Sequence, residues 1–231
     1  MKIHRFIKKD IDLSATQIRD KTLVQQMTRV LKLRRGEQII LCNGINEEIL
    51  ARIQDFTDDT LVYEIIELHA NIENLERKII LACAVLKKEN FEMVVQKATE
   101  LSVHEIVPFI SARTIKTGLR YDRLELIACE AAEQSGRGIV PLIHEISELN
   151  AIPSLFADFE HKYICHTSGT DISPESGSAG NSVIVVGPEG GFEEGEVVTM
   201  SAVGFRPISL GQFTLRAETA AIAGLVILTK N

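Results

Sequence analysis

The chain has 231 residues, 45% apolar and 25% charged, enough to bury one large core or two small ones. Tryptophan is absent and aromatic residues are only 5%, so aliphatic side chains must fill that interior. The most apolar stretch, Ala220 to Leu228, falls far short of the roughly 20 residues that span a bilayer. The opening Met1-Lys2-Ile3-His4-Arg5-Phe6-Ile7-Lys8-Lys9 has no apolar run of the secretory kind, so a cytoplasmic protein without a membrane partner is expected.

The net charge of −7 is unevenly spread. Residues 1–36 hold ten Lys and Arg against three Asp, whereas residues 37–70 hold one Arg against eight acids. A basic segment on an acidic protein suits a polyanion, and equally a solvated helix face. The four cysteines, Cys42, Cys83, Cys129 and Cys165, show no Cys-x-x-Cys pairing, and three lie in apolar runs. They read as reduced core thiols. The six histidines lack ligand spacing, so no metal site is expected.

In chain order, Ser14–Arg35 is predicted as a helix, with Leu23, Met27, Val30 and Leu31 at helical spacing and Gly36 as its stop. Three β-type runs follow, Glu37–Cys42, Ile49–Phe56 and Leu61–Glu67, separated by Asn43-Gly44 and Asp58-Asp59 turns. This small β-rich unit ends near residue 70, and His69–Glu76 reads as a linker. Beyond it, strands at Lys78–Leu86, Glu105–Ile110, Val140–Ile146, Lys162–His166, Ser182–Val186 and Phe205–Leu210 alternate with helices. One helix carries Phe91, Val94, Val95, Ala98 and Leu101, another spans Tyr121–Ser135, and two follow Gly191 and Leu215. Alternation of this kind predicts an α/β domain with a largely parallel sheet over 71–231. Thr167–Asn181, with four Ser and three Gly, is expected to be a surface loop.

Three segments carry chemistry. In Ser182-Val183-Ile184-Val185-Val186-Gly187-Pro188-Glu189-Gly190-Gly191-Phe192, an apolar strand runs into a glycine-rich turn ahead of a helix. Ligands of open α/β sheets bind at such strand ends, and glycine lets the backbone approach them closely. No phosphate-binding glycine pattern is present, and no Lys or Arg lies between Ser182 and Ala202. The nearby Glu189, Glu193, Glu194 and Glu196 would repel a pyrophosphate, so a ligand without phosphate and with positive charge fits better. In Ser209-Leu210-Gly211-Gln212-Phe213-Thr214-Leu215-Arg216-Ala217-Glu218-Thr219-Ala220, Arg216 and Glu218 are the only charges between Pro207 and Thr229. Each suits a functional role, and each also has a plain one, Glu218 on the helix dipole and Arg216 in a salt bridge. In Glu130-Ala131-Ala132-Glu133-Gln134-Ser135-Gly136-Arg137, helical spacing puts Glu130 and Gln134 on one face.

Together with His4-Arg5-Phe6, Arg29-Val30-Leu31-Lys32-Leu33-Arg34 and Gln96-Lys97-Ala98-Thr99-Glu100-Leu101, these segments resemble the RsmE family of 16S rRNA uridine-N3 methyltransferases over nearly the whole chain. The resemblance implies a small PUA-like β-barrel that binds RNA, over 1–70. It implies a SPOUT-type parallel-sheet methyltransferase domain over 71–231, with a C-terminal trefoil knot. It implies S-adenosyl-L-methionine held by His166, Gly187, Pro188, Glu189, Gly190, Gly191, Leu210, Gly211, Thr214, Leu215, Arg216, Ala217, Thr219 and Ala220. Arg216 and Glu218 become the catalytic candidates, with Arg216 stabilising the uracil anion and Glu218 as base or orienting group. Arg5, Arg29, Arg34, Gln134 and Arg137 become RNA contacts, with 16S rRNA or the small ribosomal subunit as partner. A homodimer is implied too, and the apolar Ala217–Leu228 helix, small at Ala220, Ala221, Ala223 and Gly224, is the expected interface. The chain departs from the family in having Ser102 where members usually carry Gly, Ala217 where many carry Thr, and Arg123-Leu124 where a Trp is common. Two other readings of the same motifs are a SPOUT enzyme acting elsewhere, such as on a ribose hydroxyl of tRNA, and an RNA-binding protein without catalysis.

Overall fold

A computed structural model describes residues 3–70, 77–115, 118–171 and 180–229. The chain divides into two compact units. The first comprises Met1–Glu73 with Ala132–Val140, and the second Asn74–Ala131 with Pro141–Asn231.

The first unit is built on β1 (His4–Ile7), β2 (Gln17–Arg19), the short helix α1 (Lys21–Gln25), β3 (Gln38–Cys42), β4 (Glu47–Phe56) and β5 (Thr60–Ala70). Their order in one curled sheet is β1-β3-β4-β5-β2, with β1 parallel to β3 and the other pairs antiparallel. Two register shifts between β4 and β5, at Leu50/Ala51 and Ile53/Asp55, bend it into a half-barrel. Alternation along β4 sends Ile49, Ala51 and Ile53 inward to meet Phe6, Met27, Leu41 and Tyr63. The single helix expected over Ser14–Arg35 is not formed. Gln17-Ile18-Arg19 alternates exposed, buried, exposed and pairs with β5, so the edge of the sheet claims it. Asp20 then caps α1 by accepting from the Leu23 amide (3.1 Å) and from Lys8 Nζ (2.5 Å). That contact with Lys8 holds the Asp20 carboxyl below the usual range. One π-helical turn, Gln26–Val30, ends the segment and leaves Val30 exposed.

Residues Ala132–Val140 belong to this unit by their hydrogen bonds. Glu133 Oε1 accepts from the Ile7 amide (2.8 Å), Gly138 O from the Asn46 amide (2.9 Å) and Gly44 O from the Val140 amide (3.0 Å).

The second unit holds β6 (Ile79–Ala84), α2 (Lys88–Glu100), β7 (Glu105–Ile110), α3 (Tyr121–Ser135, its last residues passing into the first unit), β8 (Leu142–Ile143), β9 (Ser147–Glu148), α4 (Ile152–Leu155), β10 (His161–Asp171), β11 (Ser182–Val186), α5 (Glu194–Ala202), β12 (Arg206–Ser209) and α6 (Ala217–Thr229). The sheet order is β12-β10-β11-β6-β7-β8, all parallel, with β9 also on β7. β6 and β11 are buried along their whole length, as a parallel sheet covered on both faces requires. One face packs Val183, Val185, Ile164 and Phe109 with Val197 and Met200 of α5. The other lies under α6, on which α2 packs.

Of the strand expected over Val140–Ile146 only β8, Leu142–Ile143, forms, because Val140 is bonded to Gly44 and Pro141 has no amide to donate; β9 lies just beyond it. β10 runs to Asp171, so the first residues of the expected Thr167–Asn181 loop are strand; residues 172–179 of that loop, and 71–76 of the expected linker, lie outside the described residues.

Candidate cofactor site

From β6 the chain continues to β7 on one side, and later enters β10 and β11 on the other. The carboxyl ends of β6 and β11 therefore mark the place where strand order reverses, the usual ligand crevice of an open α/β sheet. A cavity of about 400 Å³ opens there, within the second unit.

One wall is the turn after β11. Gly187 leaves no room for a side chain, since a Cβ would lie 2.9 Å from the Phe192 ring. Phe192 is buried and stacks at 6.3 Å on Phe109 at the end of β7. The Gly191 amide donates to Pro188 O (2.9 Å), and Gly191 adopts φ +70, a left-handed geometry that glycine adopts cheaply. The glutamates of this region serve the backbone. Glu189 accepts from the Lys87 amide (3.1 Å). Glu193 and Glu196 form a capping box on α5, and Glu196 Oε1 also accepts from the Ala112 amide (2.9 Å). These bonds give three of the four carboxylates a fastening role in place of the ligand-attracting one inferred from their charge.

The opposite wall comes from β10 and the loop between β12 and α6. The pairing of β10 with β12 slips between Cys165 and Thr170, and this bulge carries His166 and Thr167 along the cavity. His166 Nδ1 lies 2.7 Å from Ser168 Oγ. Burial pushes the Cys165 thiol up to about 12, so this thiol stays protonated at physiological pH. Leu210, Gly211, Thr214 and Leu215 complete the wall, with Ala217 and Ala220 from the first turn of α6.

Of the expected cofactor residues, His166, Gly187, Pro188, Glu189, Gly190, Gly191, Leu210, Gly211, Thr214, Leu215, Ala217 and Ala220 meet in this one cavity. Arg216 and Thr219 do not line it and are exposed. Glu218 is buried beside it with Oε2 lacking a hydrogen-bond partner among the described residues. Sequence reasoning missed Arg113 and Phe213, which also line the cavity. Arg113 follows the carboxyl end of β7, and the strand-end rule applied to that strand would have found it.

In the first unit, Arg29 and Arg34 are exposed, as is Gln134. Arg5 is turned inward and ion-paired with Glu48, both nearly buried, and Arg137 is buried. Among the described residues no helix is long and apolar enough to cross a membrane, and no group of His, Cys, Asp and Glu could hold a metal.

Comparison with known proteins adds family to geometry. Residues 73–229 match the RNA methyltransferase domain family, and residues 27–66 match the RNA methyltransferase PUA domain. Ribosomal RNA small subunit methyltransferase E of Mesomycoplasma hyopneumoniae is 31% identical over 202 residues, covering 85% of this chain and 87% of that protein. The chain belongs to the ribosomal RNA small subunit methyltransferase E family. The Bacillus subtilis member is 30% identical over 217 residues, covering 87% of this chain and 85% of its own length. The crystal structure of the Neisseria gonorrhoeae methyltransferase E, bound to S-adenosyl methionine, superposes with a TM-score of 0.85 at 26% identity, covering 97% and 96% of the two chains. The small curled sheet followed by a parallel α/β sheet is thus the fold of this methyltransferase family.

Proposed function

We propose that this chain uses S-adenosylmethionine to methylate ribosomal RNA of the small subunit, at N3 of a uridine in 16S rRNA. The observation that carries the reading is the cavity at the reversal of strand order, walled by two glycine loops, in a chain whose family includes a cofactor-bound structure.

The residues present suit this cofactor. The volume lies in the range of small-ligand sites, the wall mixes apolar side chains with polar groups and backbone exposed by glycine, and phosphate-binding charge is absent from the glycine turn. Gly187–Gly191 together with Leu210, Gly211, Thr214 and Leu215 would hold it, beside Ala217 and Ala220 of α6. The bound cofactor supplies an electrophilic methyl group on a sulfonium, and transfer breaks the methyl–sulfur bond as the nitrogen–methyl bond forms, leaving a neutral thioether. The protein's part is to hold the acceptor in line and exclude water, which supplies several kcal/mol. Uracil N3 is a nucleophile only after losing its proton, so the site must also favour an anion. A uridine held in paired RNA must swing out of its stack to enter.

For RNA, Arg29, Arg34 and Gln134 offer exposed side chains on the first unit. Arg5, committed to Glu48, and Arg137, buried, would act by shaping that surface. Arg216, exposed at the start of α6, suits a phosphate of the bound strand. We also assign the chain a homodimer through α6 and the C-terminal trefoil knot of its family.

Titration calorimetry with S-adenosylmethionine, and mass mapping of small-subunit RNA after incubation with enzyme and cofactor, test the reading. Binding with appearance of 3-methyluridine is expected. Ala220→Phe, which fills the cavity from α6, should weaken cofactor binding at least tenfold without lowering the melting temperature. Unchanged affinity in folded Ala220→Phe would remove the site, and a ribose-methylated product would replace the N3 assignment.

A further inference from the structure

Two residues that line the cavity have no part in the cofactor reading. Arg113 is the one Arg or Lys among its lining residues, and its side chain is half exposed. Its backbone is fixed on both sides. Thr114 Oγ1 accepts from the Ser111 amide (2.9 Å), the Thr114 amide donates to Ser111 O (3.0 Å), and the Ala112 amide is held by Glu196. The guanidinium is aimed as well as placed. Nη1 donates to Gly190 O (3.1 Å), and Nε stands 3.8 Å from Glu193. Two of its nitrogens thus face the glycine turn, while Nη2 has no partner among the described residues. Phe213 lines the same cavity from the other loop and is 74% exposed, the one aromatic among the exposed large apolar side chains of the described residues. An aromatic face left in water at a cavity mouth is a stacking platform for a flat ligand.

We propose that Arg113 and Phe213 form the acceptor-base subsite: Phe213 stacks on the flipped-out pyrimidine, and Arg113 donates from Nη2 to one of the two carbonyl oxygens that flank N3. This rests on the uridine-N3 reading above. N3 of uracil lies between two carbonyls, and loss of its proton to solvent water spreads the negative charge onto both oxygens. A fixed guanidinium there lowers the pH at which the base ionises, and the freed N3 electron pair takes the methyl group. This gives Arg113 the anion-stabilising role that the sequence alone suggested for Arg216.

The test is steady-state methylation of unmodified small subunits across a pH series, with cofactor affinity measured separately. Arg113→Ala should lower kcat about a hundredfold or more near neutrality, the usual cost of losing an anion-stabilising donor. Its rate should recover at higher pH, because the uracil then ionises without help, so the rising limb of the profile moves to higher pH. Arg113→Lys should fall between Arg113→Ala and wild type. Phe213→Ala should raise KM for the RNA about tenfold, with cofactor affinity and oligomeric state unchanged, and Phe213→Trp should restore it. Arg113→Ala with an unshifted pH profile, or with cofactor binding lost, overturns the assignment. So does Phe213→Ala that weakens cofactor binding or self-association in place of RNA affinity. Wild-type protein that binds no cofactor or makes no 3-methyluridine would instead defeat the underlying reading.

Discussion

Ser102 follows the C-terminus of α2 at φ +61, with its amide donating to Thr99 O (3.1 Å). A side chain in the left-handed region costs about 1 kcal/mol, and glycine avoids it. Ser102→Gly is therefore expected to stabilise the protein by about 0.5–1 kcal/mol, part of the gain being offset by the freer unfolded chain. A urea midpoint that rises with an unchanged slope would bear this out, and a falling midpoint would refute it. The left-handed geometry could not be read from the Leu-Ser-Val sequence, because serine does not announce it. Gly187 and Gly191 were legible as a strand-end turn, since three glycines and a proline in five residues have few other uses. The partners of the glutamates were not, because a capping box and a ligand-facing carboxylate look alike in sequence.

At the level of elements, α6 reads as apolar all round, yet its faces differ. Ala221, Gly224, Leu225 and Leu228 are buried, and a Cβ on Gly224 would lie 2.3 Å from Ile184 Cδ1 of β11. Gly224 therefore serves the approach of α6 to its own sheet, not the approach to a twin that its small size suggested. Ile222, Ala223 and Val226 remain partly exposed and form a stripe with Thr219. Ile222→Glu with Val226→Glu should weaken self-association at least tenfold and leave the fold intact, whereas Gly224→Leu should lower the melting temperature, overpacking costing about 1–3 kcal/mol. Light scattering decides between them, and wild-type protein that is monomeric at micromolar concentration and active would refute the dimer. Sequence identified the buried strands best: β6 and, after Ser182, β11 are unbroken apolar runs with one structural outcome. It failed at β1 and β2, where short charged edge strands owe their form to β3 and β5.

At the scale of the whole molecule, ten basic residues within the first 36 stand against an acidic remainder. A polyanion bound there should release counterions, so affinity falls steeply with salt. Replacing Arg29 and Arg34 with Ala should flatten the log–log salt slope by about 0.7–0.9 for each phosphate no longer neutralised, with cofactor calorimetry unchanged. An unaltered slope would place the RNA elsewhere. The first unit also owns Ala132–Val140, a segment that the chain reaches only after building β6, α2, β7 and most of α3 of the second. Synthesis from the ribosome therefore delivers Gly44 and Asn46 long before Val140 and Gly138 arrive to bond them. The amino-terminal sheet emerges first and is completed late, so a messenger truncated after residue 73 would yield a half-barrel with part of its hydrogen bonding missing. The two units cannot be traded as separate cassettes, and recombination that preserves the protein must carry the whole stretch up to residue 140 together.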